Sequence, residues 1–349
     1  MRILACFPAL LVLTGCPRFQ QGPRSGLKAR DYVAVGQERV YVHEQGQGPA
    51  VLLIHGYCGA ADHWMMLQPA LSRRFHTLAV DLPGFGRSDK YAGDYSPHAL
   101  GERLFKLLDA KGIKRAHLVS HSWGTSIALA MALAHPDRVA SVTLIGVWAY
   151  EDQMPPYIVW SRAPGVGEAL FALYFDQRLD DRMGLTFYNV DSYIDPHAID
   201  LAREILDRPG YMAAALAAVR GMHYSEMQKR YRTLRQRVLI IHGEYDPVTR
   251  LPWAKRLNSE LPDSRMVVIP NAKHMPMFTQ APKVLRALVP FLLGAEPDEA
   301  PARAEPAPAT PTPAPARTAP TSAPASPEAA PPRQLPPFPR EMLEEGEGR

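Results

Sequence analysis

From residue 31 to about residue 294, short apolar runs alternate with longer stretches of helical period. Tyr32–Val35 and Arg39–Glu44 flank Gly36-Gln37 and predict an opening antiparallel hairpin. Strands are then predicted over Val51–Ile54, Thr77–Val80, His117–Val119, Val142–Ile145, Val238–Ile241 and Met266–Ile269. Several of these are unbroken Val, Ile and Leu, the pattern of strands covered on both faces in a mostly parallel sheet. Helical signals fall between them. Ser96 can cap a helix that opens with Pro97, places Leu100, Leu104, Leu107 and Leu108 on one stripe and stops at Gly112. Trp123–Ala134 is apolar nearly all round and predicts a buried helix. A last helix opens near Pro282, turns Val284, Leu285, Leu288 and Leu292 inward and ends by Gly294. Strand and helix in alternation predict a doubly wound α/β architecture.

The rhythm breaks between residues 148 and 237, where helix-like segments appear without a strand: about Gly167–Phe175, after Asp195-Pro196, and across Tyr211–Arg220. Residues 148–237 therefore read as a helical cap inserted between two pieces of one core, 31–147 and 238–294. Such a cap belongs over the carboxyl ends of the strands, where open α/β sheets place their ligand crevice. Its aromatics, among them Tyr157, Trp160, Phe171, Tyr174 and Phe187, are expected mainly to pack the cap, with some lining an apolar acyl pocket.

Both ends depart from globular patterning. Arg2, the apolar run Ile3–Leu13 and Thr14-Gly15-Cys16 have the layout of a secretory signal over residues 1–15. The run is shorter than the ~20 apolar residues a membrane-spanning helix needs. Residues 16–30 are polar with Gly and Pro and read as a tether. Residues 295–349 are dominated by Pro and Ala, with few large apolar side chains to offset the entropy of ordering, so a disordered tail is expected. It is a spacer or a partner-binding segment, and no function is assigned to it.

Composition adds exclusions. The net charge of +4 on 349 residues is mild, and no basic cluster marks a nucleic-acid surface. Of three cysteines, Cys6 and Cys16 lie in or at the end of the leader, so Cys58 stands alone in the body and no internal disulfide can hold the fold.

The sharpest chemical signal is Ser120-His121-Ser122-Trp123-Gly124, between a predicted strand and a predicted buried helix. That is the context of a nucleophile elbow, whose strained turn exposes a serine hydroxyl and admits only small residues two before and two after it. Ser120 stands where glycine is usual. A serine hydroxyl needs a base, and the base needs a carboxylate to orient it. His274 follows the last strand, and Asp246 follows Val238–Ile241, so both fall at carboxyl strand ends, in the order Ser, acid, His. Glu151 and Asp152, after the strand ending at Ile145, are rival acids. For the oxyanion, the candidate donors are the backbone N–H groups of Trp123 and of Tyr57 in His55-Gly56-Tyr57-Cys58-Gly59, with His55 in a structural part.

Taken as an ordered set, His55-Gly56, the segment Asp81-Leu82-Pro83-Gly84-Phe85-Gly86-Arg87-Ser88-Asp89, the elbow at Ser122, Asp246 and His274 resemble the α/β-hydrolase superfamily over about residues 31–294. The resemblance implies an eight-stranded, mostly parallel sheet, nucleophile Ser122, base His274, acid Asp246 and oxyanion donors Tyr57 and Trp123. Relatives with an aspartate nucleophile do not match Ser122. The Ser-Trp-Gly triplet is similar to that of proline iminopeptidases, but their Gly-Gly-Pro-Gly loop is absent after His55. Leu13-Thr14-Gly15-Cys16 resembles the lipobox of bacterial lipoproteins, which implies cleavage before Cys16, acylation of that residue and, with Pro17 next, an outer-membrane destination. An ordinary cleaved signal is the alternative.

No cofactor is called for. Gly84-Phe85-Gly86 lacks the third glycine of a dinucleotide fingerprint, where Asp89 stands. His117 and His121 lie across a strand and a turn, where a spacing of four does not bring them to one face. The expected activity is hydrolysis of a carboxylic ester with an apolar part, a small-molecule substrate, through an acyl-enzyme. Amide, lactone or carbon–carbon hydrolysis is a second reading, and a ligand-binding or scaffolding lipoprotein with little turnover a third.

Overall fold

The computed structural model describes residues 31–174 and 208–294. The leader, the tether with Cys16, the tail, Phe175, Phe187 and the helix expected after Asp195-Pro196 lie outside the described residues.

Eight strands form one sheet: β1 (Tyr32–Val35), β2 (Glu38–Gln45), β3 (Ala50–Ile54), β4 (His76–Val80), β5 (Ala116–His121), β6 (Val139–Ile145), β7 (Val238–Gly243) and β8 (Ser264–Ile269), in the order β1-β2-β4-β3-β5-β6-β7-β8. The hairpin forms as expected, with Val35 opposite Glu38 and Gly36 at φ 62° supplying the turn. β2 joins β4 antiparallel, and every later pairing is parallel. Successive side chains of a strand point to opposite faces. Leu52 and Ile54 accordingly enter one apolar cluster, with Leu104 and Ile127, while Val51 and Leu53 enter another, with Val284 and Leu288. Two packed faces explain the unbroken aliphatic run. β8 is the exception: as an edge strand it is mostly half-buried, and Val268 faces solvent.

Helices cover both faces. In α1 (Pro97–Ala110), Ser96 Oγ accepts the Ala99 N–H at 3.3 Å, all four predicted leucines are buried, and Gly112 ends the segment at φ 70°. α2 (Gly124–Ala134) is buried on every side as far as Leu133. Between β6 and β7 lie α3 (Val166–Tyr174) and α4 (Tyr211–Gly221), with shorter helical turns and no strand among the described residues. α5 (Leu251–Glu260) was not legible in the sequence, because it buries only Ala254 and Leu257 and so leaves no apolar stripe. α6 (Ala281–Leu292) turns Val284, Ala287, Leu288 and Phe291 inward, whereas Leu285, expected inside, sits half-buried at the margin.

Candidate active site

β5 runs two residues further than its apolar pattern, through Ser120 and His121, and the chain reverses at Ser122 with φ 52°. A positive φ is costly for a residue with a Cβ, and the turn is held by neighbours. The Ser122 N–H donates to the Ile145 carbonyl on β6 at 2.9 Å, and its carbonyl accepts the Thr125 N–H at 2.8 Å. Gly124 opens α2 against the end of β3: a Cβ there would overlap the His55 carbonyl oxygen and come within 2.8 Å of that of Ile54. The small residue at 120 is required less strictly. Ser120 is buried, and its hydroxyl donates to the Thr143 carbonyl at 2.9 Å, so the site admits one polar atom and satisfies it.

His274 and Asp246 meet Ser122 from separate loops. His274 Nε2 lies 2.9 Å from Ser122 Oγ, and its Nδ1 lies 2.9 Å from Asp246 Oδ2. A carboxylate at Nδ1 can only accept there, which fixes the proton on Nδ1 and leaves Nε2 to accept the serine proton. The Asp246 carboxylate is itself held: Oδ1 accepts the N–H groups of Val248 at 2.8 Å and Thr249 at 3.0 Å, and Oδ2 accepts the Thr249 hydroxyl at 2.6 Å. Burial by itself raises this carboxyl's pKa, but the His274 imidazole, His242 and the Thr249 hydroxyl together hold it well below the usual carboxylate range. The two loops pack closely, because a Cβ at Gly243 would overlap the Lys273 carbonyl, and the Tyr245 N–H donates to Ala272 at 2.9 Å. The rival acids point elsewhere. Glu151 accepts from Arg162 at 2.6 Å and from the Tyr224 N–H at 2.9 Å, and Asp152 lies 3.9 Å from Arg256.

The loop after β3 reaches the same place. A Cβ on Gly56 would stand 2.8 Å from the Cβ of Ser122, so this backbone passes in contact with the serine. His55 Nδ1 donates to the Gly56 carbonyl at 2.7 Å and its Nε2 accepts the Leu82 N–H at 2.9 Å, which fixes the turn. Burial brings the His55 pKa down to about 3, so the ring is neutral. Tyr57 packs edge-on against Trp123, with ring centres 5.9 Å apart, and its hydroxyl donates to the Ala215 carbonyl in α4 at 3.0 Å. Trp123 is the N-cap of α2, where backbone N–H groups have no carbonyl a turn earlier to meet. Phe85, from the Asp81–Asp89 segment, wedges edge-on against Trp123, and Gly84 at φ 88° makes room for the Tyr95 ring.

Three further residues belong to this site without having been expected there, His121 having been weighed only as a metal ligand. His121 Nε2 donates to the His274 carbonyl at 2.9 Å, with the two rings 4.6 Å apart, and burial pushes its pKa well below the ordinary value. His242 Nε2 lies 3.7 Å from Asp246 Oδ2, and burial lowers its pKa to about 4 against the pull of that carboxylate. Gly146, at φ 61°, would place a Cβ 3.4 Å from both Asp246 Oδ2 and the His274 ring. A short-range motif carries no trace of such packing across strands. His117 instead bonds Ser141 Oγ at 2.7 Å, and among the described residues no three His, Cys, Asp or Glu side chains group to hold a metal ion. Of the cap aromatics, Phe171 is buried, whereas Tyr157 and Trp160 are largely exposed.

Residues 49–281 match the family described as alpha/beta hydrolase fold. The chain belongs to this family, and it is a hydrolase. It is 28% identical over 263 residues to a pimeloyl-[acyl-carrier protein] methyl ester esterase of Aeromonas hydrophila, covering 72% of this chain and 99% of that protein. It is 27% identical over 290 residues to a 2-hydroxymuconate semialdehyde hydrolase of Pseudomonas putida, covering 79% and 97%. A thermophilic esterase from Thermogutta terrifontis shares the fold, with a TM-score of 0.66 at 24% identity over 76% of this chain and 97% of that one.

Proposed function

We propose that this hydrolase cleaves a carboxylic ester through an acyl-enzyme on Ser122. The observation that carries the reading is the continuous hydrogen-bonded chain from Ser122 Oγ through His274 to Asp246. In the first half, Ser122 Oγ bonds to the acyl carbon while its proton passes to His274 Nε2. The oxyanion so formed is stabilised by the backbone N–H groups of Tyr57 and Trp123, each such donor being worth ~10²–10³-fold in rate. The carbon–alkoxide bond then breaks, and the alcohol leaves with the proton from His274. In the second half, water attacks the acyl carbon, His274 takes its proton and returns it to Ser122 Oγ, and the acid departs. Asp246 holds the imidazole in one tautomer and stabilises it when protonated.

Similarity to a methyl ester esterase favours the ester bond, and similarity to a hydrolase of 2-hydroxymuconate semialdehyde keeps a second bond type in view. Purified protein should hydrolyse short p-nitrophenyl esters and be labelled by a fluorophosphonate, and Ser122→Ala should abolish both. Labelling without turnover on any ester would support the ligand-binding reading instead. We further propose that Cys16 carries a lipid anchor to a bacterial membrane, the outer membrane by its following Pro17, while Cys16→Ser should release the protein to the soluble fraction.

A further inference from the structure

Helix α3 has two apolar faces, and only one of them is buried among the described residues. Gly167 and Phe171, a turn apart, face inward, and a Cβ on Gly167 would press on the Leu216 side chain of α4 at 2.8 Å. Val166, Ala169 and Leu173, at the i, i+3, i+7 spacing of the opposite stripe, are exposed, Val166 to 46% and Leu173 to 61%. The helical turn just before it, Pro156–Trp160, presents Tyr157 and Trp160 three residues apart, exposed to 60% and 61%. Between residues 157 and 173 the charged side chains are Arg162 and Glu168, and each is drawn aside into an ion pair, with Glu151 and Arg220 respectively. What remains outward is an uncharged apolar surface bearing one Tyr and one Trp. A segment of this kind is suited to the boundary between headgroups and acyl chains, where Tyr and Trp concentrate.

We infer that this face of the cap docks on an anionic phospholipid bilayer, and that the site beneath it takes acyl esters from the membrane surface. The inference rests on the ester reading for its substrate and on two sequence facts for its partner. Residues 17–30 contain Arg18, Arg24, Lys28 and Arg30 and no carboxylate. Cations in such a stretch are drawn to anionic lipid headgroups. Those fourteen residues span at most about 50 Å when fully extended, so a chain anchored at Cys16 keeps its cap within reach of the surface that holds it.

The test uses the full chain with vesicles of phosphatidylethanolamine and phosphatidylglycerol, and compares it with a Trp160→Glu/Val166→Glu/Leu173→Glu variant. Amide hydrogen exchange across residues 157–173 should slow at least tenfold when vesicles are added, and the variant should lose that protection. Turnover of a long-chain ester carried in the vesicles should fall at least tenfold in the variant, while turnover of a soluble short-chain ester stays within twofold. Equal exchange with and without vesicles would overturn the inference. So would protection already present without lipid: concentration-dependent protection would assign the face to a second copy of the chain, and concentration-independent protection to another segment of the same chain. If neither protein turns over the soluble ester, the ester reading fails, and the exchange result alone decides the docking.

Discussion

The elbow and the cap face opposite problems. Around Ser122 the backbone passes so close to β3 and to the loop at Gly56 that Gly124 and Gly56 leave no space for a Cβ, and each carboxylate oxygen of Asp246 has a defined partner. The cap, by contrast, leaves Trp160, Val166 and Leu173 facing outward on elements that bury little else. Geometry to within a few tenths of an ångström is what the chemistry of a serine nucleophile requires, and it is supplied by the parallel sheet and its buried helix. Selection of a substrate, or of a surface, requires only shape and polarity, and can be left to an insertion between two strands.

The comparison breaks most directly at the imidazole. His274→Ala should lower kcat/KM about 10⁴–10⁶-fold and Asp246→Asn about 10³–10⁴-fold, with circular dichroism unchanged. A loss of less than tenfold in either would move the chemistry away from these residues. Next, Gly124→Val should destabilise the fold by about 3 kcal/mol, since the atoms it meets are backbone carbonyls that cannot swing aside. Chemical denaturation measures this, and a stable, active variant would show the elbow to be looser than its contacts imply.

Acid sharpens the same contrast, because the neutral imidazoles cluster on the core side. Burial lowers the pKa of His55 to about 3, and of His63 and His242 to about 4, all below the usual 6.5. Below pH 6.5 the unfolded chain binds protons that the folded chain refuses, so stability is full above that pH and falls as pH drops toward 4, by about 1.4 kcal/mol per pH unit for each ring. The depressed Asp246 acts in the same direction at still lower pH: its contribution is present above the ordinary carboxylate pKa and is lost as pH falls through the folded value. The melting temperature should therefore drop steeply between pH 7 and pH 5, and a flat profile would contradict the buried, neutral state of these rings. The smallest effect lies where the regions touch. Tyr57→Phe removes the hydroxyl's bond to Ala215 in α4 and should cost about 1 kcal/mol in stability, with KM altered more than kcat.

The difference between the regions also governs what could be read beforehand. Strands β3 and β7 announce themselves as solid aliphatic runs because both their faces are covered, and Asp246 falls just past the second of them, as Ser122 follows β5 and His274 follows β8. His121 was weighed only as a metal ligand and His242 not at all, because their place in the site depends on contacts with His274, 153 positions away, and with Asp246 across the turn after β7. α5 escaped for want of an apolar stripe, and nothing in the run Met266–Ile269 marked β8 as an edge strand. In the cap, Trp160 looks like a packing residue in sequence, and only its exposure shows otherwise. Aromatic composition alone does not say which way a side chain faces.

The proposed chemistry depends on the reactivity of one alcohol oxygen. Rapid quenching of the protein during turnover of a slow ester such as p-nitrophenyl butyrate, followed by peptide mass analysis, should find the acyl group on the peptide containing Ser122 and nowhere else. Steady turnover with that peptide unmodified, or an acyl group on Cys58, would contradict it.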